Sequence, residues 1–270
     1  MYDRISREWS TRKAILLAFW KGNIGKSAFQ EEFMASNPRD ISRSEFVRGV
    51  DHVIQSRETK KVLGLVDLSW RHPLDDSDDD QRNFDNAVQS SIAVAGWAPF
   101  HHSRKAMCVT NESEIHEPWR FYHLDRAACR TLLSKIDDVL DSDVKRGKIP
   151  GLLAGAGALV QVTWLPEAAS EDSAKLELRN QEHLAAAAAA VQNLLLAAEA
   201  RGMATYWSSG GLLRNDRIYE LLGISVSEKL LASVFLSPAL ENFAGKVEAN
   251  PGALRSLRAA PEKWCRTVKF

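Results

Sequence analysis

The chain has 270 residues, 45% of them hydrophobic, enough to bury a full core in one domain or in one domain with an arm. Its 35 basic and 35 acidic residues cancel to a formal net charge of zero, which argues against a general nucleic-acid binder. Cys108, Cys129 and Cys265 have neither CxxC nor CxxH spacing, so no zinc site or disulfide framework is indicated. The polar start MYDRISREWSTRK lacks a signal-peptide core, and no stretch reaches about 18 uncharged apolar residues. The expectation is a soluble, cytoplasmic protein without a membrane partner.

Residues 1–42 read as a helical arm that packs on the body or on a second subunit, and 43–270 as the main domain. In the arm, Ala14 to Trp20 suggests a short helix ended by Gly22 and Gly25. Gly25-Lys26-Ser27 resembles the end of a P-loop, but the required first Gly falls on Trp20 and no strand precedes it. From Ser42 to Arg57, Phe46, Val47, Val50, Val53 and Ile54 recur at helical spacing. A cation-rich exit follows, Arg57 to Lys61, and then the apolar run Val62 to Leu68.

Asp75 to Asp80 is the strongest charge run. It lacks the Gly and Glu of a calcium loop and reads as a solvated cap on the next helix. That helix spans about 79–96, with Phe84, Val88, Ile92 and Val94 inward, and ends in Gly96-Trp97-Ala98-Pro99-Phe100-His101-His102. Residues 103–117 read as an irregular insertion around Met107-Cys108-Val109. A strand entered through Pro118 runs to Leu124, a helix spans about Asp125–Val139, and a polar turn covers Asp141 to Lys145. Gly155 to Leu165 gives a second strand, and Ser170 to Asn180 a charged connection.

Leu184 to Gly202 reads as an Ala/Leu helix buried all round, closed by Arg201 and a left-handed Gly202. Ala204 to Trp207 is a short strand, and Ser208-Ser209-Gly210-Gly211 a turn rich in backbone donors. A short helix over Asp216–Leu222 stops at Gly223, Leu230 to Leu236 is a central strand, and the tail offers Trp264, Val268 and Phe270 as anchors.

Three separated features could meet at one ligand: the cations Arg57 to Lys61, the helix end Ala98 to His101, and the turn Trp207 to Gly210. Guanidinium and hydroxyl groups suit a phosphate, and aromatic faces with backbone donors suit a flat heterocycle. A metal site is not expected, because His101 and His102 are sequence neighbours without a third ligand at helical spacing. Nor is a serine hydrolase, since there is no G-x-S-x-G elbow.

In order and spacing these features resemble the nitroreductase family of FMN-dependent flavoproteins. The matching pieces are Arg57-Glu58-Thr59 with Lys61, Ala98-Pro99, Glu117-Pro118-Trp119-Arg120-Phe121, Ala185 to Gly202, Leu221 to Ile224 and Phe235 to Pro238. The turn Trp207 to Gly210 looks most like the small YdjA-type branch. Departures are Glu58 for a second Arg, Thr59 for Ser, Glu117 for Gln, and a link after Ala98-Pro99 about ten residues longer than usual.

The resemblance implies an α+β fold, a mixed central sheet flanked by helices, in a homodimer with exchanged terminal arms. It implies FMN as cofactor, NAD(P)H as electron donor and a nitro-aromatic or quinone-like small molecule as acceptor. Arg57 and Thr59 would hold the phosphate with Glu58 alongside, and Arg258 would be a second phosphate ligand. Lys61 would sit at the flavin pyrimidine edge, where a cation stabilises the anionic reduced form. Trp97 and His101 would line the pocket, and Trp207, Ser208 and Ser209 would contact the isoalloxazine. No side chain is expected as catalytic acid or base, because the flavin carries the chemistry. Glu117 and the insertion keep a dehalogenating or oxygen-using flavoenzyme open. Loss of the second Arg keeps a flavin-binding interaction protein open.

Overall fold

The computed structural model describes residues 42–66, 71–104, 106–107, 114–167, 173–243 and 248–270. The short helix at Ala14 to Trp20 and the Gly25-Lys26-Ser27 motif lie outside the described residues. The chain divides into two compact units, Met1–His52 and Val53–Phe270. Of the first, only the start of helix α1 (Arg43–Ser56) is described. Helix α1 has no buried residue: Phe46, Val47, Val50 and Ile54 are all exposed.

In the second unit, strand β1 (Lys60–Leu63) leads to helix α2 (Asp78–Ala95). Ser77 caps α2 by accepting from the Asp80 N–H, with Asp78, Asp79 and Asp80 in the first turn as the helix dipole favours. Asp75 departs from the solvated run expected of it. It sits in a short 3-10 turn, Pro73–Asp76, and is ion-paired to Arg126 and Arg130 at 3.3 Å each. The inward face of α2 is Phe84, Val88, Ser91 and Ala95, whereas Val94, expected inside, is 41% exposed.

The insertion is not wholly irregular. It holds an antiparallel pair, β2 (Ala106–Met107) with β3 (Glu114–Ile115), while Cys108 and Val109 lie outside the described residues. Strand β4 (Trp119–Leu124), helix α3 (Arg126–Val139), helix α4 (Ile149–Gly155) and strand β5 (Ala158–Trp164) follow. Helix α5 then runs through 27 residues, Ser173–Glu199. It therefore begins inside the segment expected to be a connection.

Strand β6 (Ala204–Ser208), helix α6 (Asp216–Leu222), strand β7 (Lys229–Ser237) and strand β8 (Glu248–Pro251) complete the unit. Gly202 at φ +74° makes the left-handed stop expected after α5, and Gly223, where α6 was expected to end, is left-handed too at φ +67°. Trp264, Val268 and Phe270 are exposed among the described residues.

The main sheet has the order β4-β5-β7-β6, antiparallel throughout. Its parallel element is a single bridge, Thr59 to Thr205, which sets β1 beside β6 and makes the arrangement mixed. Strand β1 also pairs antiparallel with β8, Lys60 opposite Pro251 through Leu63 opposite Glu248.

Strand alternation sends Val160, Val162, Ala232, Val234 and Leu236 against α2 and α5, and Leu159 and Phe235 against α3, α4 and α6. Helices thus cover both faces, and the fold is α+β as expected. Helix α5 is less enclosed than its composition suggests. Val191, Leu194, Leu195, Ala197 and Ala198 are buried, but Ala185 and Gln192 are exposed and Leu196 half-buried.

His72 ties this core together. The Leu74 N–H donates to its Nδ1 at 3.2 Å, so Nε2 carries the proton and donates to the Gly155 carbonyl at 3.3 Å. Burial, with the Arg126 charge adding to it, pushes its pKa down from 6.5 to about 4. Between those values the unfolded chain binds the extra proton, so stability rises with pH through the window and is lost as pH falls toward 4. The contribution is at most about 3 kcal/mol. Urea unfolding at pH 4.5 and pH 7 should show a slope that His72→Gln removes; an unchanged slope in that variant refutes the account.

Candidate cofactor site

The cation-rich exit of α1 is fixed from the C-terminal side. Arg255 donates from Nη2 to the Gln55 carbonyl at 2.6 Å and from Nη1 to the Arg57 carbonyl at 2.8 Å and the Ser56 carbonyl at 3.4 Å. The Gly252 N–H donates to the Thr59 carbonyl at 2.9 Å. A Cβ on Gly252 would stand 3.0 Å from the Thr59 Cβ, so the two segments lie nearly in backbone contact. The run Arg57-Glu58-Thr59 is thus clamped between α1, β8 and β6.

Within it the charges are arranged unevenly. Arg57 is half-buried; burial first, and then the Arg258 and Arg255 charges, lower its pKa, while Glu199 and Glu58 act in the opposite direction. Glu58 pairs with Lys60 at 3.3 Å. Arg57 and Arg258 have no carboxylate within ion-pair distance among the described residues. Lys61 lies with Nζ 5.2 Å over the Tyr206 ring, which stacks on Phe235 at 6.3 Å.

The donor-rich turn adjoins this region through β6. Trp207 is half-buried and packs toward the α2 and α5 side of the sheet. Ser208 is buried with its Oγ accepting from the Gly210 N–H at 3.2 Å, and Ser209 is exposed with its carbonyl accepting from Arg214 Nε at 2.5 Å. Gly210 is held at φ +102°, and a Cβ there would lie 2.5 Å from Leu230 Cδ2. Both the backbone angle and the space require glycine.

The structure therefore brings Arg57, Glu58, Thr59, Lys61 and Arg258 to one region, with Trp207, Ser208 and Ser209 on the strand and turn beside it. Trp97, 73% exposed, and exposed His101 stand at the end of α2. Their neighbours Ala98 and Phe100 pack on Trp119, and no described contact joins them to the Arg57 region. Sequence reasoning missed Arg255, Gly252 and Tyr206. The spacing of Arg255 and Arg258 by three residues was the available signal.

Burial pushes the Cys129 thiol up to about 12, and no group of three metal-ligating side chains occurs among the described residues. Glu228, buried beneath the sheet, accepts from the Tyr122 hydroxyl at 2.8 Å and from the Thr163 hydroxyl, a satisfied internal network. What the surface offers is two guanidiniums without an ion-pair contact among the described residues, near a lysine that lies over a stacked aromatic ring. Groups of this kind suit an anionic, aromatic ligand.

The family described as Nitroreductase family matches residues 79–236, from the start of α2 to the end of β7. The chain belongs to the nitroreductase family, an enzyme family of the oxidoreductase class expected from the sequence. Among solved structures, a nitroreductase-like family protein from Bacillus cereus superposes with a TM-score of 0.54 at 18% identity, over 82% of this chain and 96% of that one. The nitroreductase CinD from Lactococcus lactis, in complex with chloramphenicol, gives 0.52 at 13% identity, over 83% and 100%. A search of the curated proteins returned no match. No helix among the described residues is long and apolar enough to cross a membrane.

Proposed function

We propose that this chain is an FMN-dependent oxidoreductase that draws a hydride from NAD(P)H and delivers electrons to a nitro-aromatic or quinone-like acceptor. The observation that carries the reading is the pair Arg57 and Arg258, two guanidiniums close enough for the charge of one to act on the other, neither of them within ion-pair distance of a carboxylate among the described residues. A phosphate monoester relieves their repulsion and gives both a charge-assisted partner. FMN, when bound, supplies the acceptance of hydride and its onward transfer.

This chain's residues bind and orient. Arg57, Thr59 and Arg258 hold the phosphate. Lys61, already over an aromatic ring, brings a positive charge to the pyrimidine edge, where negative charge develops on reduction. Trp207 and the Ser208 to Gly210 turn offer a flat wall and backbone donors. Glu58 is spent on Lys60, so it tunes the charge beside the phosphate rather than donating to it.

Trp97 and His101 complete the pocket of a second copy in this reading, which makes the active unit a homodimer. The exposed apolar face of α1 and the exposed Leu254, Leu257, Trp264 and Phe270 fit such an interface, with residues 1–42 as an exchanged arm of the 43–270 body. A cytoplasmic location, where NAD(P)H is available, goes with it.

The test is an absorbance spectrum after reconstitution with FMN, followed by anaerobic addition of NADH or NADPH. Flavin bands that bleach with either nucleotide and return with a nitrofuran or chloramphenicol are expected. A protein that stays colourless after FMN and desalting refutes the reading.

A further inference from the structure

Arg255 is a third guanidinium whose charge reaches Arg57, yet both of its terminal nitrogens already donate to backbone carbonyls. The end of α1 exposes carbonyls that lack helical partners and carries the negative end of the helix dipole, and its last turn contains no basic residue. Arg255 supplies that missing cation from the C-terminal tail, forking across the carbonyls of Gln55, Ser56 and Arg57. The tail is held again beyond the triplet, by Gly252 on Thr59 and by the β1–β8 ladder. From Arg255 the chain makes one tight turn, the Arg258 N–H donating to the Arg255 carbonyl at 3.4 Å, and the Arg258 charge reaches Arg57.

We propose that Arg255 is a positioning residue for the cofactor phosphate: it clamps the end of α1 to the tail so that Arg57 and Arg258 stand together before any anion arrives. The proposal rests on the FMN reading above. Two guanidiniums brought together repel, so they drift apart unless something else holds their backbones. The three carbonyl bonds of Arg255 do this without consuming either phosphate ligand. The clamp also ties cofactor affinity to the docking of the tail, because the same short segment carries both arginines.

The experiment compares FMN with riboflavin, which has the same ring system and no phosphate, by fluorescence titration of the full-length apo-protein. Arg255→Ala and Arg255→Lys are measured beside Arg57→Ala and Arg258→Ala, with thermal midpoints for all. Lys keeps the charge but presents one ammonium, which cannot fork over three carbonyls. Both Arg255 variants should therefore weaken FMN about tenfold or more while leaving riboflavin within about twofold. Arg255→Lys carries the test if the alanine variant does not fold.

Equal affinity of the wild type for FMN and riboflavin overturns the phosphate reading itself, whatever Arg255 does. A wild-type preference for FMN that Arg57→Ala and Arg258→Ala abolish, but Arg255→Lys keeps, overturns the positioning role alone. Parallel weakening of both ligands in the Arg255 variants also overturns it, since that is what general destabilisation produces.

Discussion

Gly155→Ala is expected to destabilise the protein by about 2–4 kcal/mol and to weaken FMN binding with it. A Cβ at Gly155 would lie 2.6 Å from the Val62 carbonyl oxygen, 2.8 Å from the Gly64 nitrogen and 2.9 Å from the Val62 carbonyl carbon. These are backbone atoms, so no rotamer change relieves the overlap. Gly155 cannot retreat either, because its carbonyl accepts from His72 Nε2 at 3.3 Å and from the Ser237 hydroxyl at 3.0 Å. Strand β1 must therefore move, and β1 carries Lys61 and continues directly from Arg57-Glu58-Thr59. Gly151→Ala in the same short helix is the control. Its Cβ would meet Leu63 Cδ2 at 3.5 Å, the Gly64 carbonyl oxygen at 3.6 Å and Leu63 Cβ at 3.9 Å, ordinary contacts, and alanine favours helix by about 0.5–1 kcal/mol. Denaturant unfolding and FMN titration of the two variants check this. Equal losses at the two positions would show that the close approach of α4 to β1 is not what matters.

The same helix shows where sequence reading stopped. Ile149-Pro150-Gly151-Leu152-Leu153-Ala154-Gly155 contains one proline and two glycines in seven residues, a composition that intrinsic propensity reads as turn. It is helical because Leu152 and Leu153 are buried against α3 and the sheet. Packing overrode propensity. Helix α5 began early for the opposite reason. Its first turns, Ser173 to Gln181, are polar because they are mostly exposed, and exposed helix looks like a charged connection when only apolar periodicity is followed. The apolar stripe of α1 was legible as a helix but not as an exposed face, since a stripe alone does not say whose surface covers it.

At the proposed site, the candidate residues were legible and the contacts that hold them were not. Arg57, Thr59, Lys61 and Arg258 could be picked from residue type and motif order. The bonds that fix them could not, because Arg255 and Gln55 are 200 positions apart and a capping bond of that range has no sequence period. Trp97 is a different case. An aromatic next to a helix stop suggests a pocket wall, and on the single chain its side chain is 73% exposed, so what it faces is not set within this chain's described contacts.

Arg126→Ala should be the most damaging single change outside the sheet, at about 3–5 kcal/mol. Arg126 opens helix α3, where a positive charge opposes the helix dipole, so local propensity does not explain it. Tertiary partners do. Its Nη1 donates to the carbonyls of Leu153, Ala154 and Ala156 at 3.3, 2.9 and 3.1 Å, and its Nε to Asp75 Oδ1 at 3.3 Å. It thereby caps the otherwise uncapped end of α4 and anchors the turn that leads into α2. Removing it leaves three carbonyls without its guanidinium and Asp75 with only Arg130 and the His72 N–H, and the cost is chiefly that of the polar groups left unpaired. Burial alone would raise the pKa of Asp75, but the hydrogen bonds from Arg126 and the His72 N–H and the charges of Arg126 and Arg130 outweigh it and lower the pKa from 3.8. A carboxyl with a depressed folded pKa stabilises above its unfolded value and loses that contribution as pH falls through the folded one. The wild type should therefore lose this increment below about pH 4, while Arg126→Ala, which lacks the main partner, should lose less over the same range. A double-mutant cycle with Asp75→Ala read by urea unfolding separates the ion pair from the cap. A coupling near zero, with Arg126→Ala still strongly destabilised, assigns the loss to the α4 carbonyls. A small effect of Arg126→Ala refutes both roles.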